Sequence, residues 1–400
     1  MANVSSSNGL EKYPKLRFKG FSEPWNATRF GDIVDEYSDR TKEEDEDILL
    51  SAAIEGMFLN SELFDHQRGA SNKGYKKIDM GTLVLSTQNL HLGNANVNLR
   101  FEHGMVSPAY KTYHIHDCSI ELIAEWVKSE KAKRFFYDAT TVGASVCRRN
   151  VEWDTLYDQP LYLPTIEEQE RLATFLTTLS TRIKKQTELV EHLKKYKRGV
   201  IERMISELTM TCGSRRISSF AKCVAGATPD TKNHDYWDNG TIPWLSSGEV
   251  NKKRITYTDK FITPLGYQKT STKMLPIKTV IIALAGQGKT RGTVAITEKE
   301  VCTNQSLAGI ITDNTVDSEY LFYYLETQYD NLRILSSGDG TRGGLNLQLI
   351  NDYLVPTPSL DKQKFIATFG TLIDKNISAN ENLLNQLQML RSAMLQQLFV

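Results

Sequence analysis

The sequence lacks several features that would fix its class at once. Its longest apolar run, residues 280–285, is far shorter than the roughly 20 residues a membrane-spanning helix needs, so no membrane partner is expected. Residues 1–15 are polar and lack the apolar core of a secretory signal, which predicts a cytoplasmic protein. The five cysteines, Cys118, Cys147, Cys212, Cys223 and Cys302, are odd in number and widely spaced, with no Cys-x-x-Cys pair. That pattern argues against a disulfide framework and suits reduced thiols. Neither sign of charge is in excess, with 48 Lys and Arg against 48 Asp and Glu. A free-standing nucleic-acid binder usually carries a basic surplus. Here an acidic cluster at residues 39–47 offsets basic stretches at 184–203 and 252–254, and local distribution matters more than the total. The 40% hydrophobic and 24% charged content is that of an ordinary globular chain, and 400 residues allow two to four domains.

What the chain has is a repeat. Residues 161–205 lie over 355–399 without a gap, at an offset of 194 (Pro164 to Pro358). Gln169 falls on Gln363, Phe175 on Phe369, Ile183 on Ile377 and Leu193 on Leu387. Each copy reads as a long helix behind a proline. In the first, Leu172, Leu176, Leu179, Ile183, Gln186, Val190, Leu193, Lys197, Val200 and Met204 step by four and three, the seam of a helix that pairs as a coiled coil. The second gives Ile366, Gly370, Ile373, Ile377, Asn380, Leu384, Leu387, Arg391, Met394 and Leu398. Its polar breaks, Asn380 and Arg391, stand where Gln186 and Lys197 stand, and polar seam residues fix register at some cost in stability. At roughly 1.5 Å per residue such a helix is about 60 Å long.

The segments before each helix share an order of elements. In the first, residues 81–85 and 110–115 read as strands and 120–137 as a helix. In the second, 278–285, 293–296 and 307–312 read as strands and 318–335 as a helix. A Gly- and basic-rich loop precedes the proline in both, at 142–150 and 336–344. The expected fold is therefore α+β: two globular domains of mixed α/β type, at 23–163 and 213–357, separated by two long antiparallel helices at 164–212 and 358–400, as a pseudo-two-fold repeat behind an N-terminal segment at 1–22. Duplex DNA is the commonest two-fold partner of such a chain.

Several local signatures coincide. The chain opens with Pro14-Lys15-Leu16-Arg17-Phe18-Lys19-Gly20-Phe21 and Trp25, and each half ends in proline, an acidic residue and glutamine. The second half adds Gly226-Ala227-Thr228-Pro229, Tyr236-Trp237, Ile242-Pro243-Trp244-Leu245 and Thr303-Asn304-Gln305-Ser306. In this order, with the duplicated helix, the chain resembles the specificity subunit of type I restriction-modification enzymes over nearly its whole length. The resemblance implies two target recognition domains, each reading one half of a split, asymmetric DNA target, with the helices as spacers. It implies no catalysis and no cofactor in this chain. Two methyltransferase subunits would bring S-adenosylmethionine, and two restriction subunits, docked through them, would bring ATP and Mg.

Base readout needs side chains that hydrogen-bond base edges. The candidates are Ser86, Gln88, Asn89 and His91 after the first central strand, Tyr75, Lys76 and Lys77 before it, and Ser145, Arg148 and Arg149 in the loop ahead of the proline. Their counterparts are Gln287, Lys289, Thr290 and Arg291, with Arg254, Gln305, Thr341 and Arg342. Gln169, Phe175, Gln186, Lys197, Gln363, Phe369, Asn380 and Arg391 are the candidates for spacer and subunit-docking roles. Gly288-Lys289-Thr290 mimics the end of a phosphate-binding loop, but Ala283 occupies the required glycine position. His114 and His116 share a strand face without further ligands, so no metal is expected. A self-contained DNA methyltransferase or nuclease is the rival reading. The chain has no Asn-Pro-Pro or Asp-Pro-Pro signature and no Gly-rich fingerprint after the first strand.

Overall fold

The computed structural model describes residues 2–3, 13–64, 71–142, 149–286, 289–335 and 344–400. The chain divides into two compact units, residues 1–187 with 382–400, and residues 188–381. Each unit thus takes one globular part and one half of each long helix.

In the first unit, β1 (Asn26–Arg29) leads through a short turn to β2 (Val34–Tyr37), followed by β3 (Leu83–Ser86), β4 (Ala95–Val97) and β5 (Tyr110–Ile115). The sheet runs β2-β5-β3-β4, all antiparallel. Helices α1 (Ile120–Trp126), α2 (Glu130–Asp138) and α3 (Trp153–Asp158) follow, and β6 (Pro160–Leu163) returns to pair with β1. The expected helix over 120–137 is two helices. Ser129 sits in extended backbone and its side chain accepts the Ala132 N–H, which starts a second helix and ends the first. Helix α4 (Ile166–Thr209) is 44 residues long.

The second unit repeats this plan. β7 (Ser214–Arg216) pairs with a later strand as β1 does, and β8 (Ala221–Ala225), β9 (Val280–Ala283), β10 (Val294–Thr297) and β11 (Leu307–Thr312) form a sheet in the order β8-β11-β9-β10, with the short strand Arg254–Ile255 added parallel to β10 as a fifth. Here too the predicted single helix is two, α5 (Ser318–Thr327) and α6 (Tyr329–Leu335). Helix α7 (Leu347–Asp352), β12 (Leu354–Pro356), which is the partner of β7, and α8 (Leu360–Leu398) complete the unit. The units differ in what is added to this frame. The first carries a hairpin, Leu50–Ala53 with Gly56–Leu59, and a strand pair, Lys76–Asp79 with His103–Val106. The second carries a three-stranded sheet of Ile242–Leu245, Lys260–Ile262 and Cys302–Thr303.

The helix halves run antiparallel within each unit. In the first, Leu172, Ala173 and Leu176 share a core with Leu395, Leu398 and Phe399. In the second, Lys194 pairs with Glu381, Lys197 with Asp374, and Ile201 and Ile205 share a core with Ile366. Every predicted seam residue is buried or half-buried. The seam glycine has a cause: a Cβ on Gly370 would lie 2.5 Å from the Tyr323 ring, so its absence lets α5 pack directly on α8. Among the described residues no helix is long and apolar enough to cross a membrane.

Candidate nucleic-acid interface

In the first unit the turn after β3 is built from its own polar groups. Ser86, buried, accepts the Asn89 N–H at 3.1 Å, and Thr87 donates to the Ala109 carbonyl at 2.8 Å. This leaves the side chains of Gln88 and Asn89 exposed on a braced turn. His91 follows in a short 3₁₀ turn whose Leu90 is anchored in the core. Burial, and then the nearby Arg149 charge, hold the His91 imidazole below its usual pKa, favouring a neutral ring that can donate or accept. Arg149 is oriented by Thr140, donating to its hydroxyl at 2.7 Å and its carbonyl at 2.6 Å, and lies 4.1 Å from the Tyr137 ring centre. The structure thus brings His91 and Arg149 into one electrostatic neighbourhood.

The other basic candidates of this unit sit differently. Lys76 is 5% exposed in a strand, and burial lowers its pKa. Lys77 is ion-paired with Glu46, and Tyr75 is half-buried. Ser145 and Arg148 lie outside the described residues, as do Gln287, Thr341 and Arg342 of the second unit.

In the second unit the loop after β9 is closed by two glycines in positive-φ backbone, Gly286 (φ +142) and Gly292 (φ +84). The Gly292 N–H donates to the Ala283 carbonyl at 2.9 Å, and the Lys289 carbonyl accepts from the Tyr329 hydroxyl at 2.9 Å. The Lys289 side chain is exposed; Thr290 and Arg291 are half-buried. Two motifs far apart in sequence meet beside this sheet. A Cβ on Gly226 would fall 2.1 Å from the Asn304 carbonyl oxygen, so only glycine lets these loops touch. Next to that contact Thr228 hydrogen-bonds the exposed Gln305 amide oxygen.

Arg254 has another place. Its guanidinium donates to Glu298 at 2.7 Å, to both Glu319 oxygens at 2.9 and 2.8 Å and to the Tyr323 hydroxyl at 2.8 Å. Burial alone would destabilise the charge, but Glu319, Tyr323 and Glu298 outweigh it and raise its pKa. This guanidinium is largely occupied inside the unit. A cleft of about 930 Å³ opens beside it, lined by Lys194, Arg198, Lys252, Lys253 and Lys289 together with Glu326 and Asp374. Lys252 lies 3.8 Å from the Tyr257 ring centre. Lys252 and Lys253 are visible in the sequence as basic, but only folding shows that they share a cleft with Lys289.

The spacer candidates are held inside their units. Gln169 (4% exposed) accepts the Ser119 N–H at 2.9 Å and donates to the Pro164 carbonyl at 3.0 Å. Gln363 (1% exposed) does the same with Asp317 at 2.8 Å and Pro358 at 2.8 Å. Ser119 and Asp317 are the N-caps of α1 and α5. Phe175 packs edge-on against Phe18 at 5.8 Å, and Phe369 packs against the second core. Gln186 is buried and Asn380 half-buried, its amide bonded to Asn376. His114 stacks on Tyr37 at 4.0 Å, and His116 meets Asp117 and Asp35. Among the described residues no group of three or more potential ligands could hold a metal.

Residues 211–389 match the family model described as "Type I restriction modification DNA specificity domain". The chain is 29% identical over 176 residues to the type I restriction enzyme MjaIX specificity subunit of Methanocaldococcus jannaschii, covering 42% of this chain and 40% of that protein. It is 25% identical over 173 residues to the HindI specificity subunit of Haemophilus influenzae, covering 41% of this chain and 36% of that protein. The match thus spans less than half the length of these curated relatives. Likeness of fold extends further. The S subunit of a type I restriction-modification system from M. genitalium matches with a TM-score of 0.62 at 14% identity, over 97% of this chain and 99% of that one. A chain solved in work on complex assembly of the type I system matches with a TM-score of 0.56 at 16% identity, over 93% and 96%.

Proposed function

We propose, from the premise that this chain belongs to the type I restriction-modification DNA specificity family, that it is the non-catalytic subunit that reads a bipartite, asymmetric DNA target. The observation that carries this reading is one sheet-and-helix frame built twice, with different additions in each copy. Two like frames suit two half-sites on one duplex, and unlike additions suit halves of different sequence. Residues 23–163 and 213–357 are the two reading heads, and 164–212 and 358–400 are the spacers. Gln88, Asn89, His91 and Arg149 in the first head, and Lys289, Thr290, Arg291 and Gln305 in the second, are the described side chains best placed to meet DNA. Lys289, exposed beside the cleft, would also add a phosphate contact, which positions the protein without reading sequence, whereas Lys252 and Lys253 are paired with Glu249, Asp259 and Glu326. Two methyltransferase subunits dock on this chain and supply S-adenosylmethionine. Restriction subunits, with ATP and Mg, join through them.

The test is duplex binding by the chain assembled with its methyltransferase subunits, measured against salt. Six phosphate contacts would lower affinity about 10³-fold between 50 and 200 mM salt. Binding that ignores salt would contradict the proposal. Turnover of DNA by the isolated chain, given Mg or S-adenosylmethionine, would favour a self-contained enzyme.

A further inference from the structure

The polar breaks of the two seams have equivalent surroundings, and those surroundings are crossed. Lys197 belongs to α4, the helix that follows the first head, yet it bonds to the second head: Nζ donates to Glu326 of α5 at 2.9 Å and meets Asp374 of α8 at 2.8 Å. Arg391 belongs to α8, which follows the second head, yet it bonds to the first: Nε donates to Ser180 of α4 at 2.9 Å, and Nη2 is paired with Glu125 of α1. Position for position, Lys197 and Arg391 are repeat equivalents, and so are Ser180 and Asp374. Each cation therefore makes a three-way clasp of helix, helix and head.

A second anchor completes each clasp. The first head is tied to the start of α4 by Gln169 and to the end of α8 by Arg391. The second is tied to the start of α8 by Gln363 and, through Lys197, to α4. Gln169 and Gln363 use both ends of a buried amide, one accepting the N-cap N–H of the head's helix and one donating to the proline carbonyl. A glutamate there would set two acceptors against each other. The clasps are partly shielded from water: Lys197 and Glu326 are 14% and 24% exposed, Arg391 and Glu125 25% and 9%. Burial acts against the Lys197 charge, but Glu326 and Asp374 prevail and its pKa is raised, so the clasp stays charged at neutral pH.

We propose that Arg391 and Lys197 are positioning residues for target recognition, each setting the pose of the head other than the one that immediately precedes its own helix. The inference rests on the reading of the two globular parts as separate DNA-reading heads. Its consequence runs against sequence order. A change at Arg391, near the end of α8, acts on the half-site read by the first head. A change at Lys197 acts on the half-site read by the second.

The experiment uses the full complex with its methyltransferase subunits and a set of duplexes carrying single base changes in one half-site or the other. Exchange of residues 213–357 with those of a homologue first assigns the halves to the heads. Arg391→Met is expected to weaken discrimination in the first head's half about tenfold and leave the other half within about twofold; Lys197→Met is expected to do the reverse. Glu125→Gln and Glu326→Gln, milder at the fold, should reproduce the two patterns, and Arg391→Lys should fall between. Loss of yield or thermal stability alone would not move one half-site against the other. Equal effects on both halves, effects on the head immediately preceding each helix, or no change in discrimination would overturn the clasp while leaving two-headed reading intact. A wild-type complex that methylates no split target would overturn both.

Discussion

Removing the Glu168 carboxylate is expected to destabilise the first unit strongly. Glu168 is wholly buried and Arg17 is 3% exposed; they meet through two parallel hydrogen bonds of 2.8 and 2.7 Å. Taking two charges out of water is costly, and their mutual attraction offsets that cost only while both are present. Glu168→Gln leaves the guanidinium buried without its counter-charge, and about 3–5 kcal/mol of stability should be lost. The double change Arg17→Met with Glu168→Met removes both charges and should recover most of it. The repeat supplies an internal control, because the position equivalent to Glu168 is Lys362, exposed to solvent. Hydrogen exchange followed through thermal unfolding should therefore show protection lost earlier in residues 13–187 and 382–400 than in 188–381. Equal stability of the single variant and the wild type would contradict the account of this pair.

The second large effect concerns the interval between half-sites. If the helices set it, lengthening both by one turn should change it. Four residues inserted after Thr187 and four after Glu381, its repeat equivalent, keep both seams in phase with each other and add about 6 Å. The preferred gap should grow by about one or two base pairs, with activity on the original target falling at least tenfold. Methylation of a duplex series with graded gaps reads this directly. An unchanged optimum would mean that something other than the helices sets the gap.

Much of the frame was legible in the sequence because its signals are periodic and local. The seam from Leu172 to Met204 and its copy needed only their four–three spacing, and β-branched runs marked β9 to β11. The breaks between α1 and α2 and between α5 and α6 were not legible. Apolar spacing continues through Ser129 and Gln328, while a helix start depends on backbone angles and a side-chain cap. The candidate site was read less well, for a different reason. Charge is visible in a sequence but its partner is not. Arg254 looks like a DNA contact until Glu298 and Glu319, 44 and 65 residues on, are seen to hold it. The same holds for Lys77, which Glu46 claims, and for Gln169 and Gln363, whose amides are buried. Gly226 and Asn304 stood out as separate motifs, and only the fold shows why: they touch. The exposed candidates Gln88, Asn89, Lys289 and Gln305 share one trait, a turn braced by neighbouring polar or backbone contacts beneath an unburied side chain.

The central claim, that one chain carries two different reading heads on a repeated frame, is tested most directly by mapping methylated bases. DNA methylated by the wild-type complex should be compared with DNA methylated by a complex in which residues 213–357 come from a homologue. The account predicts two short blocks of unlike sequence at a fixed interval, with only one block altered by the exchange. A symmetric or uninterrupted target, or an exchange that alters both blocks or neither, would contradict it.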